Sequence, residues 1–268
     1  MIPTTLFLAG AIVGSFVNVV VYRFPRGVGF VRGRSHCINC NKTLKWTDLV
    51  PLISFFVLRG RCRYCRKPIS FRYPFVETLS GLLFAIAYVM LSQYGVVSVV
   101  YAVVLTEIFL IIALIDFDHF IIPDSLLIIL LLAGGLYTFV SRYFSLSPTA
   151  GHFVMSFENI LPAIIASSFF FLIWLLTRGR MMGFGDVKYV AVLGLLFGAV
   201  GSFWTVYGAI AIGAVLGIIL LAIKKAKATT KVPLGAFLSL TAIVYTLASP
   251  WLLDNLILCT YFNIFCNY

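Results

Sequence analysis

Residues 97–124 read VSVVYAVVLTEIFLIIALIDFDHFIIPD. The first nineteen of these, 97–115, contain Glu107 as their only charged residue. An apolar run of about 18 residues or more is long enough to cross the hydrocarbon core of a bilayer as a helix. The next ten residues hold Asp116, Asp118, His119 and Asp124, and an apolar run then resumes. This is the pattern of two spanning helices joined by a short acidic turn. Composition extends the reading to the whole chain of 268 residues, which is 62% hydrophobic and only 11% charged, with a mean hydropathy of +1.06. Soluble domains are about 45–50% apolar and about 25% charged, so a water-soluble fold is excluded, and so is disorder.

Eight apolar runs of spanning length fall at about 2–22, 76–93, 97–115, 125–141, 159–177, 188–203, 205–223 and 233–257. The first lacks a basic segment before it and a small-residue cleavage site after it, and Arg23 and Arg26 follow it. It reads as a retained span with its N-terminus outside. The net charge of +11 is not spread evenly. Residues 23–73 hold twelve of the twenty Lys and Arg residues and a single acid, Asp48, so this stretch alone carries +11; the rest balances at eight against eight. With the N-terminus outside, the inner loops 23–75, 116–124, 178–187 and 224–232 take nineteen of the twenty basic residues, if Lys188 is counted at a loop edge. That asymmetry supports the orientation and an even number of spans. The expected fold is all-α and polytopic. Residues 1–22 form a first span, 23–75 a basic inner loop, and 76–268 the remaining bundle.

The basic loop carries Cys37-Ile38-Asn39-Cys40 and Cys62-Arg63-Tyr64-Cys65, two C-x2-C pairs separated by twenty-one residues. Two such pairs supply the four thiolates of a tetrahedral Zn²⁺ site, and four thiolates leave no open position for catalysis, so the metal reads as structural. Disulfides or free thiols are the alternative, and disulfides are rare in the reducing cytosol. The surrounding basic residues offset the charge of a tetrathiolate centre and are attracted to anionic lipid headgroups. Cys259 and Cys266 follow the last span, either as a disulfide or as two thiols at the interface.

The nine acids are few enough to weigh singly. Asp124 follows Pro123 at the start of a span, where a helix cap is its ordinary role. Asp118 and His119 read as solvated loop residues. Asp116 lies in the last turn of a span, where an acid opposes the helix dipole and a carboxylate at membrane depth is costly, and a cap does not explain it. In Gly183-Phe184-Gly185-Asp186-Val187-Lys188, two glycines permit a bend and a close approach to backbone before Asp186 opens the next span, again with a cap as the alternative. Asp116 and Asp186 map to the same inner boundary. Two converging carboxylates that share one proton are the minimum equipment of aspartyl hydrolysis. Glu77 opens the second span, and Glu107 is expected to face the bundle interior.

These residues resemble one family over almost the whole chain. Gly14 to Arg23, the two cysteine pairs with Leu58 to Cys62, Pro68 to Pro74, Glu77 and Gly81, Ile115 to Asp124 and Gly183 to Lys188 together resemble the bacterial type IV prepilin peptidases, which are GxGD intramembrane aspartic proteases. Two departures stand inside the match. Ile38-Asn39 replaces a proline-containing pair, and Leu49-Val50-Pro51 replaces Asn-Ile-Pro. The resemblance implies an enzyme of the bacterial inner membrane that cleaves prepilin or pseudopilin leaders and N-methylates the new N-terminus with S-adenosylmethionine. It further implies catalytic roles for Asp116 and Asp186, zinc ligation by Cys37, Cys40, Cys62 and Cys65, methyl transfer associated with Glu77 and Gly81, and supporting roles for Gly183, Gly185, Asp124 and Lys188. Expected partners are pilin-like substrates and membrane lipid, and no nucleic acid. A peptidase without methyl transfer, a proton-coupled transporter and a nucleic-acid-binding zinc module are the rival readings.

Overall fold

The computed structural model describes residues 1–29, 33–143, 155–180, 182–223 and 232–252. Cys259 and Cys266 lie outside the described residues. Among those that are described, every regular element is helical: α1 Ile2–Arg23, α2 Ile53–Val57, α3 Arg72–Leu91, α4 Val96–His119, α5 Asp124–Tyr143, α6 Ile160–Thr177, α7 Phe184–Ala222 and α8 Leu234–Leu252. Among the described residues the only β pairing is two isolated bridges. Six of these helices are long and apolar enough to cross a membrane, and the apolar part of α8, Leu234–Ser249, is shorter.

The sequence divides residues 188–223 into two spans, whereas the structure joins them in α7 around a break at Gly198 (φ 66°, ψ −163°). Only glycine adopts this conformation without strain. The Asn159 side-chain amide donates to the Leu195 carbonyl at 3.0 Å, satisfying a backbone group beside the break, as the membrane interior requires. The eight spans expected from the sequence thus correspond, among the described residues, to six helices of spanning length, one of them α7 broken in two, and the shorter apolar helix α8.

The chain separates into two compact units, Met1–Val89 and Met90–Tyr268. In the first, α1 and α3 meet through small residues. A Cβ on Gly10 would stand 2.8 Å from the Gly81 Cα, one on Gly14 2.8 Å from the Glu77 Cα, and one on Gly81 2.8 Å from the Phe7 carbonyl. The Ser80 hydroxyl donates to the Gly10 carbonyl at 2.7 Å. Lipid is as apolar as a leucine side chain, so close backbone approach and interhelical hydrogen bonds, not hydrophobic burial, hold such helices together.

In the second unit α8 packs against both α4 and α7, and α6 packs along α7. Tyr189, Phe109, Leu193 and Leu238 form its fully buried centre. Leu132, Leu136, Leu161 and Leu176 remain exposed on outer faces, as lipid-facing side chains are. Glu107 is buried within α4, in agreement with its expected inward orientation.

Candidate functional site

Asp116 and Asp186 come together at one end of the second unit. Asp116 is 4% exposed and Asp186 8%. They are near enough for the charge of Asp116 to act on Asp186. α4 runs on past Asp116 to His119 and closes at Phe120, in the left-handed conformation (φ 56°), whose N–H donates to the Asp116 carbonyl at 2.8 Å. The side chain of Asp116 turns instead to a helix 120 residues further on. The Ala236 N–H donates to its Oδ2 at 2.8 Å, and the Gly235 N–H also reaches the carboxylate. These are first-turn donors of α8, which α8 itself cannot satisfy. Asp116 opposes the dipole of its own helix and complements that of α8. The sequence reading that no cap explains Asp116 holds for α4 and fails for α8.

Asp186 lies in the first turn of α7. The Gly183 N–H donates to its Oδ2 at 3.1 Å, the backward half of a capping box. The two carboxylates are thus each oriented by a helix N-terminus through Oδ2.

Ile122 packs against both of these helix starts. A Cβ on Gly185 would stand 3.3 Å from the Ile122 Cβ, and one on Gly235 would stand 2.7 Å from the Ile122 Cδ1 and 3.0 Å from the Asp116 Oδ2. Neither Gly183 nor Gly185 has positive φ. What Gly185 contributes is small size against Ile122. The buried Tyr189 hydroxyl pairs with Ser239 at 2.8 Å and lies within the field of Asp116. Asp124 forms an ion pair with Lys188 that ties the start of α5 to the first turn of α7 beside Asp186, and both side chains are substantially exposed. Gly235, Ala236, Ile122 and Tyr189 are absent from the sequence reading of the site. One signal was available for the first two: Pro233 before an apolar run marks a helix start, and helix starts attract carboxylates.

The four loop cysteines converge in the first unit, with all four Sγ atoms within 4.8 Å of one another. Cys37 Sγ and Cys65 Sγ are 3.9 Å apart. Tetrahedral ligands about 2.3 Å from a metal stand about 3.8 Å from each other, so the cluster fits a metal of zinc's size and softness. The two knuckles repeat one backbone design. Asn41 and Arg66, each directly after a pair's second cysteine, have positive φ (54° and 60°). Their N–H groups donate to the Cys37 and Cys62 carbonyls, and the Cys37 and Cys62 N–H groups donate to the Lys42 and Lys67 carbonyls. Asp48, the loop's only acid, accepts from the Arg63 side chain at 2.6 Å and so ties the segment between the knuckles to the second one. Burial pushes the Cys37 thiol up, but N–H groups of Cys40 and Asn39 and the neighbouring thiols outweigh this and bring it down to about 7. The Lys67 N–H pulls the Cys65 thiol down, yet burial and the other three sulfurs push it up to about 11. Four adjacent thiols do not all ionise at neutral pH without a cation among them.

Next to this cluster, still within the first unit, is a cavity of about 370 Å³. Asn18 and Arg23 of α1, Cys37, Asp48, and Tyr73 and Glu77 of α3 all reach its wall. The Glu77 carboxylate is 8% exposed, and accepts from the Leu52 N–H at 2.8 Å and from the Ser15 side chain. Gly81 does not reach the cavity; it lies at the α1–α3 crossing.

Fold and site together are those of a multi-span helical membrane protein with a paired-carboxylate site in one unit and a four-thiol cluster in the other. Residues 8–91 match the bacterial peptidase A24 N-terminal domain, and residues 103–218 match the type IV leader peptidase family. The chain is 36% identical over 81% of its length to a prepilin leader peptidase/N-methyltransferase of Myxococcus xanthus, and spans 62% of that relative. It is 32% identical to one of Klebsiella pneumoniae over 72% of this chain and 84% of the relative. It is 29% identical to one of Aeromonas hydrophila over 93% of each. No solved structure matches the chain. The chain belongs to the type IV leader peptidase family.

Proposed function

We propose that this chain removes the leader of type IV prepilin-like substrates at the cytoplasmic boundary of the bacterial inner membrane and N-methylates the residue so exposed. It is an aspartic-type membrane peptidase with methyltransferase activity, as its family and relatives indicate. The observation that carries the peptidase half is the convergence of Asp116 and Asp186, both buried, Asp186 within the field of Asp116, and each fixed by backbone N–H groups.

In this reading the pair shares one proton, since two adjacent carboxylates cannot both ionise cheaply. The ionised member takes a proton from water as it attacks the scissile carbonyl. The protonated member hydrogen-bonds the carbonyl oxygen and stabilises the charge that develops there. Collapse of the tetrahedral intermediate passes a proton to the leaving amine and restores the shared state. Gly183 holds the Asp186 carboxylate through its N–H, Gly185 gives Ile122 room, and the Asp124–Lys188 pair braces the two helix starts. The basic loops support the placement of the site on the cytoplasmic side. The substrate's apolar N-terminal helix reaches the bundle through the lipid, which is the partner of the exposed apolar faces.

Cys37, Cys40, Cys62 and Cys65 would hold a Zn²⁺ that closes the loop between α1 and α3. The metal supplies folding energy and, with all four positions taken, no open site. The methyl donor is S-adenosylmethionine, which supplies an electrophilic methyl group when bound. Asp116→Asn and Asp186→Asn are each expected to abolish leader cleavage in membranes while the protein still inserts. Full cleavage by either variant rejects the pair. A processed pilin N-terminus that mass spectrometry finds unmethylated reduces the activity to peptidase alone.

A further inference from the structure

Asp116 accepts from the start of α8, and what stands behind those α8 donors belongs to α7. The Ala236 N–H donates to the Asp116 Oδ2 at 2.8 Å. That N–H and the Gly235 carbonyl are the two ends of one peptide group. The Ser239 hydroxyl donates to the Gly235 carbonyl at 2.8 Å, and the Tyr189 hydroxyl stands 2.8 Å from the Ser239 Oγ. Tyr189 and Ser239 are each 0% exposed. Counting protons settles the direction of the last contact. A serine hydroxyl has one hydrogen, and here it goes to the Gly235 carbonyl, so Tyr189 donates to Ser239. In the reverse arrangement the Tyr189 proton would be buried with no acceptor among the described residues, which is costly.

Every bond in the series therefore points one way: Tyr189 O–H to Ser239, Ser239 O–H to the Gly235 carbonyl, Ala236 N–H to Asp116. Hydrogen bonds in such a chain polarise one another, each strengthening the next by about 10–30%. The peptide group passes the effect on because its C=O and N–H share one resonance system. Core packing alone does not call for the two hydroxyls, since Phe and Ala would fill nearly the same space at little cost. Tyr189 also lies one turn beyond Asp186 on α7. The relay thus begins on the helix that carries one carboxylate and ends on the other carboxylate. We propose that Tyr189 and Ser239 are positioning residues of the peptidase, whose hydroxyls hold the first turn of α8 so that its N–H groups set the Asp116 carboxylate in register with Asp186. The inference rests on the reading of Asp116 and Asp186 as the catalytic pair. It adds two residues that neither the family match nor the relatives' names assign.

The test measures kcat and KM for leader cleavage of a prepilin by the full chain in detergent. Tyr189→Phe and Ser239→Ala are each expected to lower kcat about three- to tenfold, as displacement of a reacting group by a fraction of an ångström does, with KM unchanged. Two comparisons separate this from a merely structural role. Thr246→Ala removes another fully buried α8 hydroxyl, which donates to the Ala242 carbonyl at 2.7 Å, and is expected to keep wild-type kcat. Ser239→Ala strands the Tyr189 hydroxyl in the core and is expected to lower the unfolding temperature most. Adding Tyr189→Phe to it is expected to raise the unfolding temperature again without raising kcat. Tyr189→Phe, which removes a single oxygen, carries the test if Ser239→Ala does not fold. Wild-type kcat in Tyr189→Phe and Ser239→Ala overturns the inference. So does an equal loss in Thr246→Ala, or a kcat that recovers with stability in the double variant. Undiminished cleavage by Asp116→Asn is a separate outcome: it rejects the catalytic pair, and this inference with it.

Discussion

Asp116 carries two duties with one side chain. It is half of the proposed catalytic pair, and it receives the first-turn N–H groups of α8. Gly235 is where the two duties meet. A Cβ there would stand 3.0 Å from the Asp116 Oδ2 and 2.7 Å from the Ile122 Cδ1. The isoleucine terminus can swing away, but the carboxylate is fixed by the N–H groups that the same turn supplies. Gly235→Ala is therefore expected to lower kcat for leader cleavage about tenfold through displacement of the carboxylate, with little change in unfolding temperature. Unchanged kcat would show that the α8 turn does not position Asp116. The Asp124–Lys188 pair makes the opposite case. Both groups are substantially exposed, and such pairs contribute about 0–1 kcal/mol. Lys188→Ala is expected to retain leader cleavage; its loss would place Lys188 in the chemistry. At this scale the sequence revealed Asp116 and Asp186 as acids out of place. It did not reveal Gly235, Ala236 or Tyr189, since a glycine or a backbone N–H shows its use only through what stands opposite it.

The cysteine knuckles are the best case of legibility among the elements. Spacing alone indicated that the four thiols gather, and the gathering is local: each knuckle closes through hydrogen bonds within a few residues. Metal retention should follow the thiols' protonation. The ligating thiols must lose their protons, so protons compete with the metal increasingly as pH falls. Metal content of the purified chain, measured across a pH series, is expected to drop on the acid side, and Cys37→Ser or Cys62→Ser is expected to reduce it at every pH. Full metal content in either variant rules out the tetrathiolate site. α7 shows where patterning stops. Residues 188–223 are apolar throughout, so hydropathy has nothing with which to mark the break, and a glycine amid several others does not announce it. The break falls at Gly198 because Asn159 lies against it. A Cβ there would stand 2.9 Å from the Asn159 Oδ1, in a conformation closed to other residues. Gly198→Ala is expected to destabilise the bundle by about 1–3 kcal/mol, read as a lower unfolding temperature in detergent.

Over the whole molecule, charge and chemistry are partitioned. The unit Met1–Val89 takes twelve of the twenty basic residues, the four-thiol cluster and the cavity. The unit Met90–Tyr268 takes the carboxylate pair. The proposed orientation makes the basic loop a cytoplasmic feature. Trypsin, which cuts after Lys and Arg, is then expected to cleave within residues 23–75 in inside-out membrane vesicles and not in right-side-out ones. Cleavage of that loop from the outer face reverses the topology.

By itself, the sequence determined the class of the chain, the gathering of the cysteines and the two acids worth watching. Each of these follows from composition or from spacing within one segment, where the physics is local: a span needs length and apolarity, a knuckle needs two thiols and a tight turn. Only the tertiary structure decided that Asp116 is held by a helix 120 residues away, that Gly185 and Gly235 close on Ile122 from two helices, and that the two acids of a basic unit face one cavity. Burial and close approach depend on which distant surfaces meet, and no pattern within a single segment encodes the partner.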